Sequence, residues 1–156
     1  METIANRERV LAIGTMLAIQ IPILANMSTS NRVWTRAVYE ALKAYSRTMP
    51  GWQIYPPDKC YTAEYLCDFT LFEDGYGRRI ACESQWSHWA HSQLIDMKWA
   101  FDKLRGVKAD IKIFIFEGEE KNWKEVRDCY LKRYAQLSTD EAFIALHWKG
   151  DHFEKS

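Results

Sequence analysis

No sign of charge dominates this chain: Lys plus Arg number 21, and Asp plus Glu number 21. Bulk charge therefore gives no argument for nucleic acid, and any phosphate-binding surface has to be local. The four cysteines (Cys60, Cys67, Cys82, Cys129) form no CxxC pair and no finger-type spacing. His88 and His91 lack a second Cys/His cluster, which argues against a zinc site. There is no glycine-rich phosphate loop, since Gly75-Tyr76-Gly77 is turn chemistry. No Ser/His/Asp or Cys/His order supports nucleophilic catalysis. Internal repeats and low-complexity linkers are also missing. The longest charge-free apolar run, Val10 to Leu24, covers 15 residues, short of the roughly 20 that a spanning helix needs.

What is present suits one globular domain. The chain of 156 residues is long enough to bury a core, and its seven Trp, eight Tyr and seven Phe favour dense packing. Residues 1–30 form an apolar extension with three open readings. It is a packed N-terminal helix, a signal peptide with Arg7 and Arg9 as its basic start, or an over-long start ahead of Met27. Ser28 to Asn31 then offer N-caps for a helix over Arg32–Arg47. Met49-Pro50-Gly51 breaks it, and Trp52–Tyr55 reads as a short edge strand.

Strands over 64–72 and 78–85 flank a turn at Glu73 to Gly77. A helix is expected over Gln93–Arg105, a central strand over Ile111–Phe116, a helix over Asn122–Leu137 and a last strand over Ala142–Trp148. Residues 151–156 read as a polar, frayed tail. A hairpin followed by crossover helices implies an α/β sandwich with a mixed sheet.

The hairpin carries the candidate chemistry. Alternation along a strand points Glu83 and Gln85 one way and Cys82, Ser84 and Trp86 the other. A short hairpin brings Asp68 opposite that pair, making an oxygen-rich pocket for a hard cation. Cys67 and Cys82 read as buried small hydrophobes, which fits a reducing cytoplasm, with a disulfide left open.

In element order and in the placing of its acids, the chain resembles the PD-(D/E)XK nuclease superfamily. Asp68 matches the first acid of the motif. Glu83-Ser84-Gln85, led in by Ile80-Ala81-Cys82, matches the (D/E)XK tripeptide. The resemblance covers most of residues 31–117 and departs at Gln85, where the family usually has lysine. It implies a restriction-endonuclease-like three-layer sandwich, with a central mixed β-sheet flanked by helices, over residues 31–150.

It further implies a Mg²⁺- or Mn²⁺-dependent phosphodiesterase with Asp68, Glu83, Gln85 and a migrated lysine, Lys103 or Lys98, as catalytic candidates. Asp68, Glu83, Glu40 and the Ser84 carbonyl are the metal candidates, and Glu64 is an auxiliary acid. Arg78, Arg79, Lys98, Lys103, Arg105 and Lys108 are candidates for contacting DNA, or RNA, through its backbone. A catalytically inactive binding module of the same fold is equally implied by a lost lysine, and a homodimer is left open.

Plain structural readings stand beside each of these. Asp68 could pair with Arg79, Glu83 and Gln85 could be a solvent face, and Glu40 could pair with Arg36 or Lys43. Lys98 and Asp102 have the spacing of an ordinary helical ion pair. Trp86, Trp89 and Trp99 could stack on bases or simply pack in the core.

Overall fold

A computed structural model describes residues 4–57, 67–86, 92–128 and 141–156. Its first element is a helix, α1 (Ile4–Ala25), followed by α2 (Asn31–Arg47) and strand β1 (Trp52–Tyr55). The hairpin comes next, as β2 (Phe69–Glu73) and β3 (Gly77–Gln85). Then follow α3 (Gln93–Gly106), β4 (Ile111–Glu117), α4 (Glu120–Val126), β5 (Ala142–Trp148) and β6 (Phe153–Lys155).

The six strands form one sheet in chain order. β1, β2 and β3 make an antiparallel meander. β4 runs parallel to β3, β5 parallel to β4, and β6 closes the far edge antiparallel to β5. The chain is thus α/β with a mixed sheet, as its pattern of a hairpin followed by crossovers requires.

Helices cover both faces. α1 and α2 pack with Phe69, Leu71, Ile80, Cys82, Ile113, Ile115, Ile144 and Leu146 on one side. α3 and α4 pack with Ala81, Phe114, Phe116 and Ala145 on the other. β4 is buried along nearly its whole length, because both of its faces meet helices.

The N-terminal run is helical and inserts into the first of these cores. Val10, Ile13, Leu17, Ile21 and Ala25 are buried at helical spacing. Gly14 lets the helix approach β5, since a Cβ there would lie 2.3 Å from the Ile144 Cδ1 atom. The helix extends well beyond the charge-free run. Asn6–Ala25 is long and apolar enough to cross a membrane by length and composition alone, although about 33% of it is buried against the rest of the chain.

Two expectations need correcting. The tail is not frayed: Phe153 pairs with Trp148 in the ladder and packs on its ring at 5.0 Å. Asp68, expected inside the second strand, sits in a bend just before β2 begins at Phe69. Residues 64–66, including Glu64, lie outside the described residues. So do Cys60, His88, Trp89, His91, Cys129 and the second half of the helix expected over 122–137.

Candidate active site

The β2–β3 ladder stops at the pair Phe69–Cys82, and side chains take over where backbone pairing ends. The Asp68 amide donates to Glu83 Oε2 at 2.9 Å. In return, the Ser84 amide and hydroxyl both donate to Asp68 Oδ2, each at 2.9 Å. The two acids are therefore clamped by each other's strand ends, and Ser84 holds Asp68 by two bonds. A backbone N–H without its ladder partner needs another acceptor, and a carboxylate is a strong one.

Glu83 shares the sheet face of Ala81, which belongs to the core beneath α3 and α4. Its side chain is only 3% exposed, and Lys103 of α3 reaches down to it, with Nζ 2.5 Å from Glu83 Oε1. Lys103 can do so because Met97, Ala100, Phe101 and Leu104 dock α3 on the sheet, which leaves position 103 at the edge of that contact.

Burial pushes the Glu83 carboxyl up to about 8, and the negative charge of Asp68 adds to the rise. Lys103 and the Asp68 amide pull in the opposite direction without cancelling it. Repulsion between the Asp68 carboxylate and an ionised Glu83 in a poorly solvated place keeps the proton on Glu83 to a higher pH than on an ordinary carboxyl. A cation relieves that repulsion. The neighbouring thiols do not compete as nucleophiles, because burial raises Cys67 and raises Cys82 strongly. Both are free cysteines, buried as small hydrophobes.

The donor set suits a hard divalent cation. Among the described residues, no group of three or more His, Cys, Asp or Glu side chains gathers to hold a metal. Mg²⁺ and Mn²⁺ are ions that keep several waters and need only one or two carboxylates from protein.

The remaining candidates are distributed as follows. Gln85 lies two residues beyond Glu83 on the same side of β3, half-buried. Glu40 stands on α2, whose buried residues pack on the opposite face of the sheet, so the structure does not bring it to Glu83. Lys98 pairs with Glu125 of α4 at 2.6 Å. Arg79 is held by Glu73 and by Asp110, the latter at 2.7 Å, with Tyr76 beneath its guanidinium. It is a structural clamp and does not pair with Asp68.

Arg78 lies over the Phe72 ring, Arg105 pairs with Asp102 at 3.4 Å, and Lys108 is exposed. Trp86 is buried, 5.3 Å from the Trp34 ring, whereas Trp99 is 70% exposed on α3, one turn before Lys103.

The reach of Lys103, rather than Lys98, is what sequence reasoning left undecided. Five residues apart on a helix, the two lysines point about 140° away from each other, so only one of them could face β3. Sequence reasoning missed the double hydrogen bond from Ser84 to Asp68. Its only trace in the sequence is a hydroxyl residue inside the tripeptide. Comparisons of the chain with known protein families, with curated proteins and with solved structures find no match.

Proposed function

We propose that this chain is a metal-dependent phosphodiesterase of the restriction-endonuclease-like, PD-(D/E)XK class. Asp68 and Glu83 hold the cation, and Lys103 serves in place of the motif lysine that is absent at Gln85. The observation that carries this reading is the ammonium of Lys103 on Glu83, delivered from the helix that follows the motif strand. The order helix, antiparallel meander, helix, parallel strand supports it.

A bound divalent cation supplies Lewis acidity at a phosphoryl oxygen and lowers the pKa of a coordinated water. The residues of the chain do the rest. Ser84 fixes the Asp68 carboxylate through two donors. Glu83, raised to about 8, holds a proton that it gives up when a cation enters. Lys103 places positive charge beside the acids, where the negative charge of a phosphodiester has to be accommodated.

The test is incubation of supercoiled and linear DNA, single-stranded DNA and RNA with the protein and Mg²⁺ or Mn²⁺. Cleavage that disappears on chelation and in Asp68→Ala and Glu83→Ala is expected. Wild-type protein inert on all of these substrates with either ion would overturn the catalytic reading. Gln85 motivates a second reading, a nucleic-acid-binding module without chemistry. Retained binding without cleavage would favour it.

A further inference from the structure

The helix layer made by α1 and α2 has an outer surface that the core leaves unused. Among the described residues, ten large hydrophobic side chains are exposed. Six of them lie on α1, on the turn after it or at the start of α2: Leu11, Ile19, Ile23, Leu24, Met27 and Val33. Leu11, Thr15, Ile19 and Ile23 recur every four residues and are all exposed, so they form one row along the outside of α1. That row is about 18 Å long and lies opposite the buried side chains of Val10, Ile13, Leu17 and Ile21. No charged residue occurs from Val10 to Asn31. Single exposed leucines are ordinary, whereas a contiguous apolar ridge marks a surface that meets something else.

Basic side chains frame the ridge. The two helices carry Arg7, Arg9, Arg32, Arg36, Lys43 and Arg47 against two acids, Glu8 and Glu40. This is a surplus of positive charge in a chain whose total is zero. Arg32, Arg36, Lys43 and Arg47 fall within about 60° of one another around α2, on the side away from the buried Val38, Ala41 and Leu42. The helices run in opposite directions. Trp34 near the start of α2 donates to the Ser28 carbonyl just after α1, at 2.7 Å. At the other end, burial raises the Tyr45 hydroxyl and the charge of Arg9 lowers it, which sets Arg9 beside the last turn of α2. Cations therefore stand at both ends of the ridge. On its other flank Lys155 of β6 donates to the Thr15 hydroxyl at 2.9 Å. Elsewhere cations are taken up by acids, as Arg79, Lys98, Lys103, Lys112 and Lys149 are. Arg7, Arg32, Arg36 and Arg47 form no ion pair with any described residue.

An apolar ridge framed by unpaired cations is complementary to an anionic lipid surface. The ridge enters the boundary between headgroups and acyl chains, and the arginines meet lipid phosphates. A second copy of this chain fits less well, because pairing two such faces sets positive charge against positive. Nucleic acid would engage the cations and leave the ridge without a partner. We propose that the α1–α2 face docks flat on an anionic membrane surface, with Leu11, Ile19 and Ile23 inserted and α1 still packed on the sheet. Docking in this way turns the sheet face that carries Glu83 and Lys103 away from the lipid. It does not depend on the phosphodiesterase reading, since no step of it involves the acids.

The full chain is sedimented with vesicles of mixed phosphatidylcholine and phosphatidylglycerol, and with vesicles of phosphatidylcholine alone. Binding to the mixed vesicles, little binding to the neutral ones and release by high salt are expected. Ile23→Asp weakens binding by about tenfold or more, and Arg36→Gln by about fivefold. Both side chains face outward, so the variants melt at the wild-type temperature, which separates lost docking from lost folding. Full chain left in the supernatant with mixed vesicles, or an Ile23→Asp variant that binds like wild type, would overturn the proposal. Equal binding to both kinds of vesicle would remove the role of the arginines and overturn the anionic surface. Protein that resists high salt and comes away only in detergent would overturn flat docking, since α1 would then have left the core to span the bilayer. Without vesicle binding, a dimer dissolved by Ile23→Asp would give the face to a second copy. Duplex DNA retained in place of vesicles, and lost in Arg36→Gln, would give it to nucleic acid.

Discussion

Glu83 and Lys103 form a pair in which neither partner is at ease alone. The carboxyl is raised from 4.5 to about 8, with burial as the first cause. A folded-state pKa above the unfolded one means that the native state binds the extra proton between these values. The stability Glu83 contributes is therefore complete below about 4.5 and is lost as pH rises through about 8. Thermal melts of Glu83→Gln should fall less with pH across this window than those of wild type. Parallel slopes would show that Glu83 titrates as an ordinary exposed acid.

Removing the other partner has the opposite electrostatic effect. In Lys103→Met the pull of the ammonium is gone, so the Glu83 titration, followed by carboxyl NMR, should move to still higher pH. Under the proposed chemistry, cleavage should drop by about 10²-fold or more, on the scale of losing one preorganised electrostatic contact. Lys103→Arg should restore part of the activity. A Lys103→Met enzyme as active as wild type would remove Lys103 from the mechanism.

At the scale of elements, α1 shows both the reach of sequence reading and its limit. Val10 to Leu24 is apolar all round, so the sequence alone does not say which side is inner. The fold chooses: Ile13, Leu17 and Ile21 go to the core while Leu11, Ile19 and Ile23 remain exposed. Burial of a side chain of this size contributes about 1.5–3 kcal/mol. Those three residues together rival the whole net stability of a small domain, about 5–15 kcal/mol. A chain beginning at Met27 should therefore be poorly soluble or melt at a markedly lower temperature. A truncated protein as soluble and stable as the full chain would mark α1 as a dispensable leader.

β6 was illegible for a different reason. Phe153-Glu154-Lys155 has one apolar residue, and its strand state comes from the open edge of β5 rather than from its own pattern. Asp68 and Glu83 were legible because a carboxylate amid apolar strand residues is unusual. Glu40 is a candidate only through its place on the first helix of the resemblance, and no residue near it specifies which face of the sheet α2 covers.

Across the whole molecule, the two ends of the parallel strands differ in their polar chemistry. The carboxyl edge holds the candidate acids. Toward the amino edge lies a buried ion pair. Lys112, with its side chain 2% exposed, binds Glu141 at 2.8 Å, and Glu141 also accepts the Ala109 amide at 3.2 Å. Lys112 further donates to the Arg105 carbonyl at 3.4 Å, tying the end of α3 to the sheet.

Removing one member of a buried pair leaves the other charge uncompensated, at a cost of about 3–5 kcal/mol. Glu141→Leu alone should therefore lower the melting temperature sharply, and adding Lys112→Met should recover much of the loss. Additive destabilisation in the double variant would show that the two residues do not act as a pair. The mixed sheet followed from the alternation of hairpin and crossovers in the sequence. This brace did not, because a lysine within an apolar strand gives no sign of a partner 29 residues further on.

The reciprocal clamp between Asp68 and Ser84 makes the backbone itself a reporter of the charge state of the site. The Asp68 amide proton points at a Glu83 oxygen and the Ser84 amide proton at an Asp68 oxygen. In a nitrogen–proton correlation spectrum, the Asp68 cross-peak should migrate as pH passes the Glu83 transition. Both cross-peaks should migrate again when Mg²⁺ is titrated in, with no substrate present. Two peptide groups that stay fixed through both titrations would mean that neither a proton nor a cation exchanges between these acids.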